Sequence, residues 1–204
     1  MARVLTTPNT AICTTRLDLR LLALPDANDV YQYGSDPEVA RATSWPAHTN
    51  IKDALDFVSF VVASDSDQPG ALRHTWAIRR RDHARVIGTI DLIQDNDQEA
   101  HTDYVLARSY WKQGFMTEAV QAVVGWGFAR LEALERIRSG CLSSNVGSWR
   151  VLEKAGFTLT GLQPDKFGSK FDHRELEVRH YEVLRREWGG PIAPTPLNPA
   201  PRRS

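Results

Sequence analysis

Residues Tyr104–Arg130 read YVLARSYWKQGFMTEAVQAVVGWGFAR and join a short apolar run to a polar loop and a longer periodic segment. The run Tyr104–Ala107 has the composition of a buried strand, and Gly114 lies in the loop after it. Apolar residues then recur at helical spacing, which predicts a helix beginning near Met116–Thr117. A strand followed by a glycine loop and a helix can bind phosphate, because the first N–H groups of a helix lack intrahelical partners and lie at the positive end of its dipole. A glycine before a helix is also common in a plain turn, so the pattern needs support from elsewhere in the chain.

Composition describes an ordinary globular protein. The chain has 204 residues, of which 42% are hydrophobic and 25% charged, enough for one domain with a full core. Basic and acidic residues balance at 25 each, which disfavours nucleic-acid and anionic-membrane partners. No apolar run approaches the roughly 18 residues of a membrane span, and the N-terminus lacks a signal-peptide core, so we expect a cytoplasmic protein. Cys13 and Cys141 are too few for a disulfide framework, and no cluster has metal-ligand spacing, so no metal is expected.

Periodicity along the rest of the chain predicts one α/β (α+β) domain with a mixed, mostly antiparallel sheet of about seven strands flanked by helices. The predicted strands are 17–21, 74–80, 86–94, 100–107, 137–142, 157–163 and 176–184. The predicted helices are 25–33, a short one reaching Arg41, one that Asn50 caps, the central one and 148–154. We expect an N-terminal extension at 1–13, a domain at 14–188 and a disordered tail at 189–204, where five of the 11 prolines lie.

Three segments resemble one known family. The loop Trp111–Ala119, WKQGFMTEA, resembles the acyl-coenzyme A loop of the GNAT N-acetyltransferases. The closer likeness is to the branch of ribosomal-protein N-terminal alanine acetyltransferases, with Trp-Gly-x-Gly-(Tyr/Phe)-x-Thr-Glu-Ala. Asn145–Phe157 resembles the same branch's Asn-x-x-Ser-x-x-x-Leu-Glu-Lys-x-Gly-Phe, and Thr15–Arg20 is a looser match at the start. Together they cover roughly residues 14 to 188.

The loop departs from the family pattern at three positions. Trp111 stands where the superfamily has Gln or Arg, Met116 where it has Gly or Ala, and Lys112 where the branch has its first glycine. Only Gly114 keeps the close backbone approach that a residue without Cβ allows. We expect phosphate binding to survive with an altered loop geometry.

The resemblance implies acetyl transfer from acetyl-CoA to a primary amine by direct attack. It implies a sheet splayed between the strand ending near Ala107 and the strand 137–142, with the pantetheine arm in the splay, and it allows a homodimer. The acceptor stays open between a protein N-terminus and a small-molecule amine. The residues it assigns to the cofactor are Val105 or Leu106 through a backbone N–H, the loop Lys112, Gln113, Gly114, Phe115, Met116 and Thr117, and Asn145 on the pantetheine.

Two residues are candidates for the chemistry. His101 stands where the branch has Glu, and an imidazole is a suitable base near neutral pH, although a surface histidine is the alternative. Asp103 shares its strand face and could orient it, or it could be a solvated carboxylate. Ser148 is the candidate acid for the thiolate, since the tyrosine that many members place seven residues after the asparagine is Leu152 here. Ser148 could equally be a helix cap.

A second function remains open on the same fold. The altered loop and the missing tyrosine favour a non-catalytic acyl-CoA sensor or structural protein. The two functions differ in whether a base lies within reach of the thioester.

Overall fold

The computed structural model describes residues 10–64, 73–166 and 175–190. The strands in these ranges are β1 (Ile12–Cys13), β2 (Leu17–Leu21), β3 (Arg73–Arg80), β4 (Val86–Gln94), β5 (Glu99–His101), β6 (Tyr104–Leu106), β7 (Arg136–Leu142), β8 (Thr158–Lys166) and β9 (Glu175–Leu184). The helices are α1 (Ala27–Gly34), α2 (Pro37–Arg41), α3 (Ile51–Ser64), α4 (Phe115–Arg130) and α5 (Val146–Lys154).

All nine strands form one sheet, in the order β1-β2-β3-β4-β5-β7-β9-β8, with β6 also paired to β4. Every pair is antiparallel except β5 with β7. This confirms the predicted mixed, mostly antiparallel sheet. The count exceeds the predicted seven because β1 lies in the expected N-terminal extension and because the single strand expected at 100–107 is two strands, β5 and β6.

The interruption between β5 and β6 opens the sheet. β5 pairs with both β4 and β7, whereas β6 pairs only with β4. At the break, the Thr102 hydroxyl donates to the Asp91 carbonyl at 2.6 Å, and the Ser139 hydroxyl donates to the Thr102 carbonyl at 2.8 Å. Beyond these two bonds β6 and β7 separate, which confirms the splay that the family resemblance implies.

The sheet is covered on both faces. Eleven of the 16 residues of α4 are buried, so this helix is apolar on all sides and packs in the larger core with Trp76, Ile90 and Ile137. The other face packs α1 and α3 over Ala77 and Val86. The opened edge between β6 and β7 therefore has helices on either side of it.

Several boundaries differ from the sequence prediction. α4 begins at Phe115 and α5 at Val146, each slightly earlier than expected. β8 continues to Lys166, into a stretch predicted as a loop. The linker 65–72, the loop 167–174 and the tail 191–204 lie outside the described residues. Among the described residues, no helix is long and apolar enough to span a membrane.

Candidate active site

The loop before α4 has the backbone of an anion site. Gly114, at the N-cap of α4, has φ 79°, and Lys112 has φ 60°. Left-handed residues next to right-handed ones turn successive N–H groups toward one point, and this concavity suits phosphate oxygens. Lys112, at the position where the branch has its first glycine, thus adopts a left-handed conformation although it is not glycine.

An arginine from the first motif braces this loop. The Arg16 guanidinium donates to the Gln113 carbonyl at 3.0 Å and lies 4.4 Å from the centre of the Phe115 ring. A Cβ on Gly114 would lie 3.4 Å from Arg16 Nη2, so a cationic group stands directly beside the turn. Arg16 also pairs with Glu118 in the first turn of α4. Sequence reasoning treated the first motif only as a loose match and missed this role.

The strand leading into the loop offers backbone donors to the splay. The Ala107 N–H donates to the Ile87 carbonyl at 2.8 Å, and the Asp103 carbonyl accepts from the Asp91 N–H at 2.9 Å. Alternate residues of an antiparallel strand point their backbone groups to opposite sides. Val105 therefore directs its N–H to β4, and Leu106 directs its N–H to the open side. Of the two predicted donors, the geometry favours Leu106, whose carbonyl accepts from the Trp111 indole at 2.7 Å.

His101 is held by a carboxylate, as a base in a dyad would be. Its Nδ1 lies 2.7 Å from Asp95 Oδ1, and the second oxygen of Asp95 accepts from Arg138 at 3.1 Å. For Asp103 the sequence left open an orienting role or a solvated carboxylate, and the residue that holds the ring is Asp95. The sequence predicted that Asp95 lies in a turn, but it gave no signal for the contact with His101. The contact forms across the turn between β4 and β5.

A buried carboxylate lies next to Asp103. Asp91 on β4 accepts the Asp103 N–H at 2.8 Å and faces Arg73 at 3.3 Å. Burial, and then the charge of Asp103, raises the pKa of Asp91 to about 6. Desolvation also raises the pKa of Asp103. Asp91 was not among the predicted site residues.

Ser148 lies across the splay from β6. The Tyr104 hydroxyl is 2.9 Å from Ser148 Oγ and 3.1 Å from the Ser148 carbonyl oxygen. The helix cap is Asn145, whose side-chain oxygen accepts the Ser148 N–H at 3.1 Å, so Ser148 is not the cap that sequence alone allowed. Because the cap uses only the side-chain oxygen of Asn145, the two N–H donors of its amide group are not used in the cap.

Two other residues near this helix are unsuited to the chemistry. Leu152 is fully buried, and burial raises the pKa of Cys141 to about 11, which makes this thiol a poor nucleophile.

A cavity of about 620 Å³ lies between α1 and the segment Ala107–Tyr110. Its lining residues include Tyr33 and four charged residues, Asp29, Asp36, Arg85 and Arg108. It lies beside the segment that connects β6 to the loop before α4. Among the described residues, no group of three or more His, Cys, Asp or Glu side chains could hold a metal ion.

An opened mixed sheet beside an anion-binding helix N-terminus defines an acyltransferase of the N-acetyltransferase class. A family model described as "Acetyltransferase (GNAT) domain" matches residues 16–158. The chain belongs to this family, which confirms the resemblance seen in the three motifs.

Individual proteins agree with the assignment. The chain is 33% identical to the uncharacterized N-acetyltransferase p20 of Bacillus licheniformis over 180 residues, which cover 87% of this chain and 97% of that protein. Its fold is similar to the Microcin C7 self immunity acetyltransferase MccE in complex with acetyl-CoA and AMP, with a TM-score of 0.71, 19% identity and coverage of 84% and 93%. A spermidine N-acetyltransferase from Vibrio cholerae, in complex with CoA and spermine, has a TM-score of 0.69 at 16% identity, with coverage of 85% and 98%.

Proposed function

We propose that this N-acetyltransferase transfers the acetyl group of acetyl-CoA to a primary amine by direct attack. The observation that carries the proposal is the continuity between the anion-binding turn at Lys112–Gly114 and the opening between β6 and β7. Pyrophosphate at the turn and the pantetheine arm in the opening would bring the thioester beside the Leu106 N–H. Phe115, Met116 and Thr117, as the first residues of α4, would contribute the remaining helix N–H groups.

His101 would act as the base. With Nδ1–H donated to Asp95, Nε2 carries a lone pair, and the carboxylate stabilises the imidazolium that forms on proton transfer. An acceptor that arrives as an ammonium ion first releases one proton to solvent. The neutral amine nitrogen then forms a bond to the thioester carbon and gives a second proton to Nε2. The Leu106 N–H would donate to the oxygen on which negative charge develops.

The leaving group and the acceptor complete the scheme. The carbon–sulfur bond breaks with its electron pair on sulfur, and the Ser148 hydroxyl would donate a hydrogen bond to it. Asp91 and Asp103 on the sheet would favour an acceptor that arrives as an ammonium ion. The cavity beside α1 has charges of both signs, since Asp29, Asp36, Arg85 and Arg108 are among its lining residues. This charge distribution fits both a protein N-terminus and a small-molecule amine.

The test is thiol release from acetyl-CoA in the presence of N-terminal peptides, polyamines and amino sugars, with product masses. We expect at least one amine to accelerate release, and we expect His101→Ala to lower kcat by roughly 10²- to 10⁴-fold while acetyl-CoA still binds. His83→Ala, on an exposed turn, is the matched control and should keep wild-type turnover. If acetyl-CoA binds but no amine accelerates release, the sensor function is correct and the transferase proposal fails.

A further inference from the structure

Many family members place a tyrosine on the helix after the splay as the acid for the departing CoA thiolate. In this chain Leu152 occupies that position and is fully buried. A different tyrosine contacts Ser148 instead. Tyr104 on β6 lies 44 positions before Ser148, and its hydroxyl contacts both the carbonyl oxygen and the Oγ of the serine. Two separate elements therefore meet at the serine that faces the leaving group in the proposed scheme.

The protonation state of Tyr104 decides what it can do there. Burial raises the pKa of Tyr104 well above its usual range. A phenol with a raised pKa keeps its proton beside a thiolate, whose conjugate acid has an ordinary pKa of about 8.5. Tyr104 is therefore suited to donate a hydrogen bond and unsuited to give its proton away.

Ser148 is held by two residues. Its N–H is bound to the Asn145 side chain at 3.1 Å, and the Tyr104 hydroxyl lies 3.1 Å from its carbonyl oxygen and 2.9 Å from its Oγ. The phenol has one proton, which it donates either to the carbonyl oxygen or to Oγ. When it donates to Oγ, the serine keeps its own proton for another acceptor, and the donated bond makes that proton a stronger donor.

We propose that Tyr104 is a positioning residue that aims and polarises the Ser148 hydroxyl toward the sulfur of the departing CoA. This role depends on the proposed acetyl transfer from acetyl-CoA. Tyr104 donates to Ser148 Oγ, and Ser148 donates to sulfur as the carbon–sulfur bond breaks. Both residues stay neutral throughout, and the thiolate takes its proton from solvent as CoA leaves.

A double-mutant cycle tests this inference. Tyr104→Phe keeps the ring and removes the hydroxyl, Ser148→Ala removes the group it acts on, and the third variant carries both changes. We expect each single change to lower kcat roughly tenfold, the worth of one hydrogen bond, with KM for acetyl-CoA within about twofold. We expect the double variant to match Ser148→Ala, because Tyr104 has nothing to act on once the serine is gone.

Tyr181→Phe is the matched control. Tyr181 is a buried tyrosine whose hydroxyl donates to Glu153 at 3.2 Å, and its loss should leave kcat unchanged. Acetyl-CoA binding by calorimetry verifies that each variant is folded. Wild-type kcat in Tyr104→Phe, or effects that multiply in the double variant, would overturn the inference while the transferase function stands. Absence of amine-dependent turnover in the wild type would overturn both.

Discussion

Arg16 and Glu118 lie 102 positions apart and are joined by two hydrogen bonds, from the Arg16 backbone N–H at 2.9 Å and from its Nε–H at 2.7 Å. The Thr14 hydroxyl adds a third, to the same carboxylate, at 2.6 Å. Partial burial disfavours the charged carboxylate, but these bonds outweigh it and lower the pKa of Glu118. The first motif of the chain thereby fixes the first turn of the helix that carries the phosphate loop.

Arg16→Ala should therefore weaken both the fold and cofactor binding. Loss of the charge-assisted bonds should reduce the free energy of unfolding by roughly 1–2 kcal/mol, and the loosened loop should bind acetyl-CoA about tenfold more weakly. Urea unfolding and calorimetry measure the two effects. Arg41→Ala removes an exposed ion pair with Glu38 and should change neither. Wild-type affinity in Arg16→Ala would contradict a bracing role.

Substitutions at Lys112 separate the shape of the loop from its charge. Among the described residues, Lys112 is the only non-glycine residue with positive φ. Lys112→Val places a β-branched residue in that conformation, at a cost of roughly 1–3 kcal/mol, and should weaken acetyl-CoA binding about tenfold or more. Lys112→Gly and Lys112→Asn tolerate the conformation and should lose only the salt-dependent part of the affinity. Equal affinities for the Val and Gly variants would show that the turn does not need this backbone.

Gly88 controls how closely β4 approaches β6. A Cβ at this position would lie 2.3 Å from the Val105 carbonyl oxygen, a backbone atom that cannot move away alone. We expect Gly88→Ala to destabilise the protein by roughly 1–3 kcal/mol and to displace the Leu106 N–H, lowering kcat as well. Gly161→Ala is the matched control, since its nearest neighbour would lie at 3.9 Å. Equal urea midpoints for the two variants would show that β6 moves away from the added methyl group without loss of stability.

Asp91 should make stability depend on pH. Its pKa rises from 3.8 to about 6 in the folded protein, chiefly through burial. A carboxyl with a raised folded-state pKa stabilises the fold while it is protonated, and this contribution is lost as the pH rises through about 6. Asp91→Asn cannot ionise, so its stability relative to the wild type should increase by roughly 2–3 kcal/mol between about pH 4 and pH 7.5.

Urea unfolding across this pH range measures the Asp91 effect. Asp97→Asn, in the exposed turn before β5, is measured alongside as a control for the removal of one carboxylate. A pH-independent difference for Asp91→Asn would mean that Asp91 stays ionised in the folded protein.

Sequence patterns predicted most of the elements well because each is encoded within a short window. The bounds of β2 and β4 agree with the prediction at both ends, and the cap at Asn50 is confirmed by its bond from the Lys52 N–H at 2.9 Å. The prediction of one continuous strand at 100–107 was wrong. Its break at Thr102 depends on hydrogen bonds to β4 and β7, partners that no local pattern contains.

The amino-acid sequence by itself determined the family and the order of most strands and helices, since motifs and periodicity depend on residues close together in the chain. Asp95 and His101 lie six positions apart and meet across the turn between β4 and β5. Only the tertiary structure decided the two long-range contacts, Arg16 with Glu118 and Tyr104 with Ser148, which join residues 102 and 44 positions apart. Such contacts form because the strands must align their backbone hydrogen bonds, and that alignment places side chains whose positions no short segment encodes.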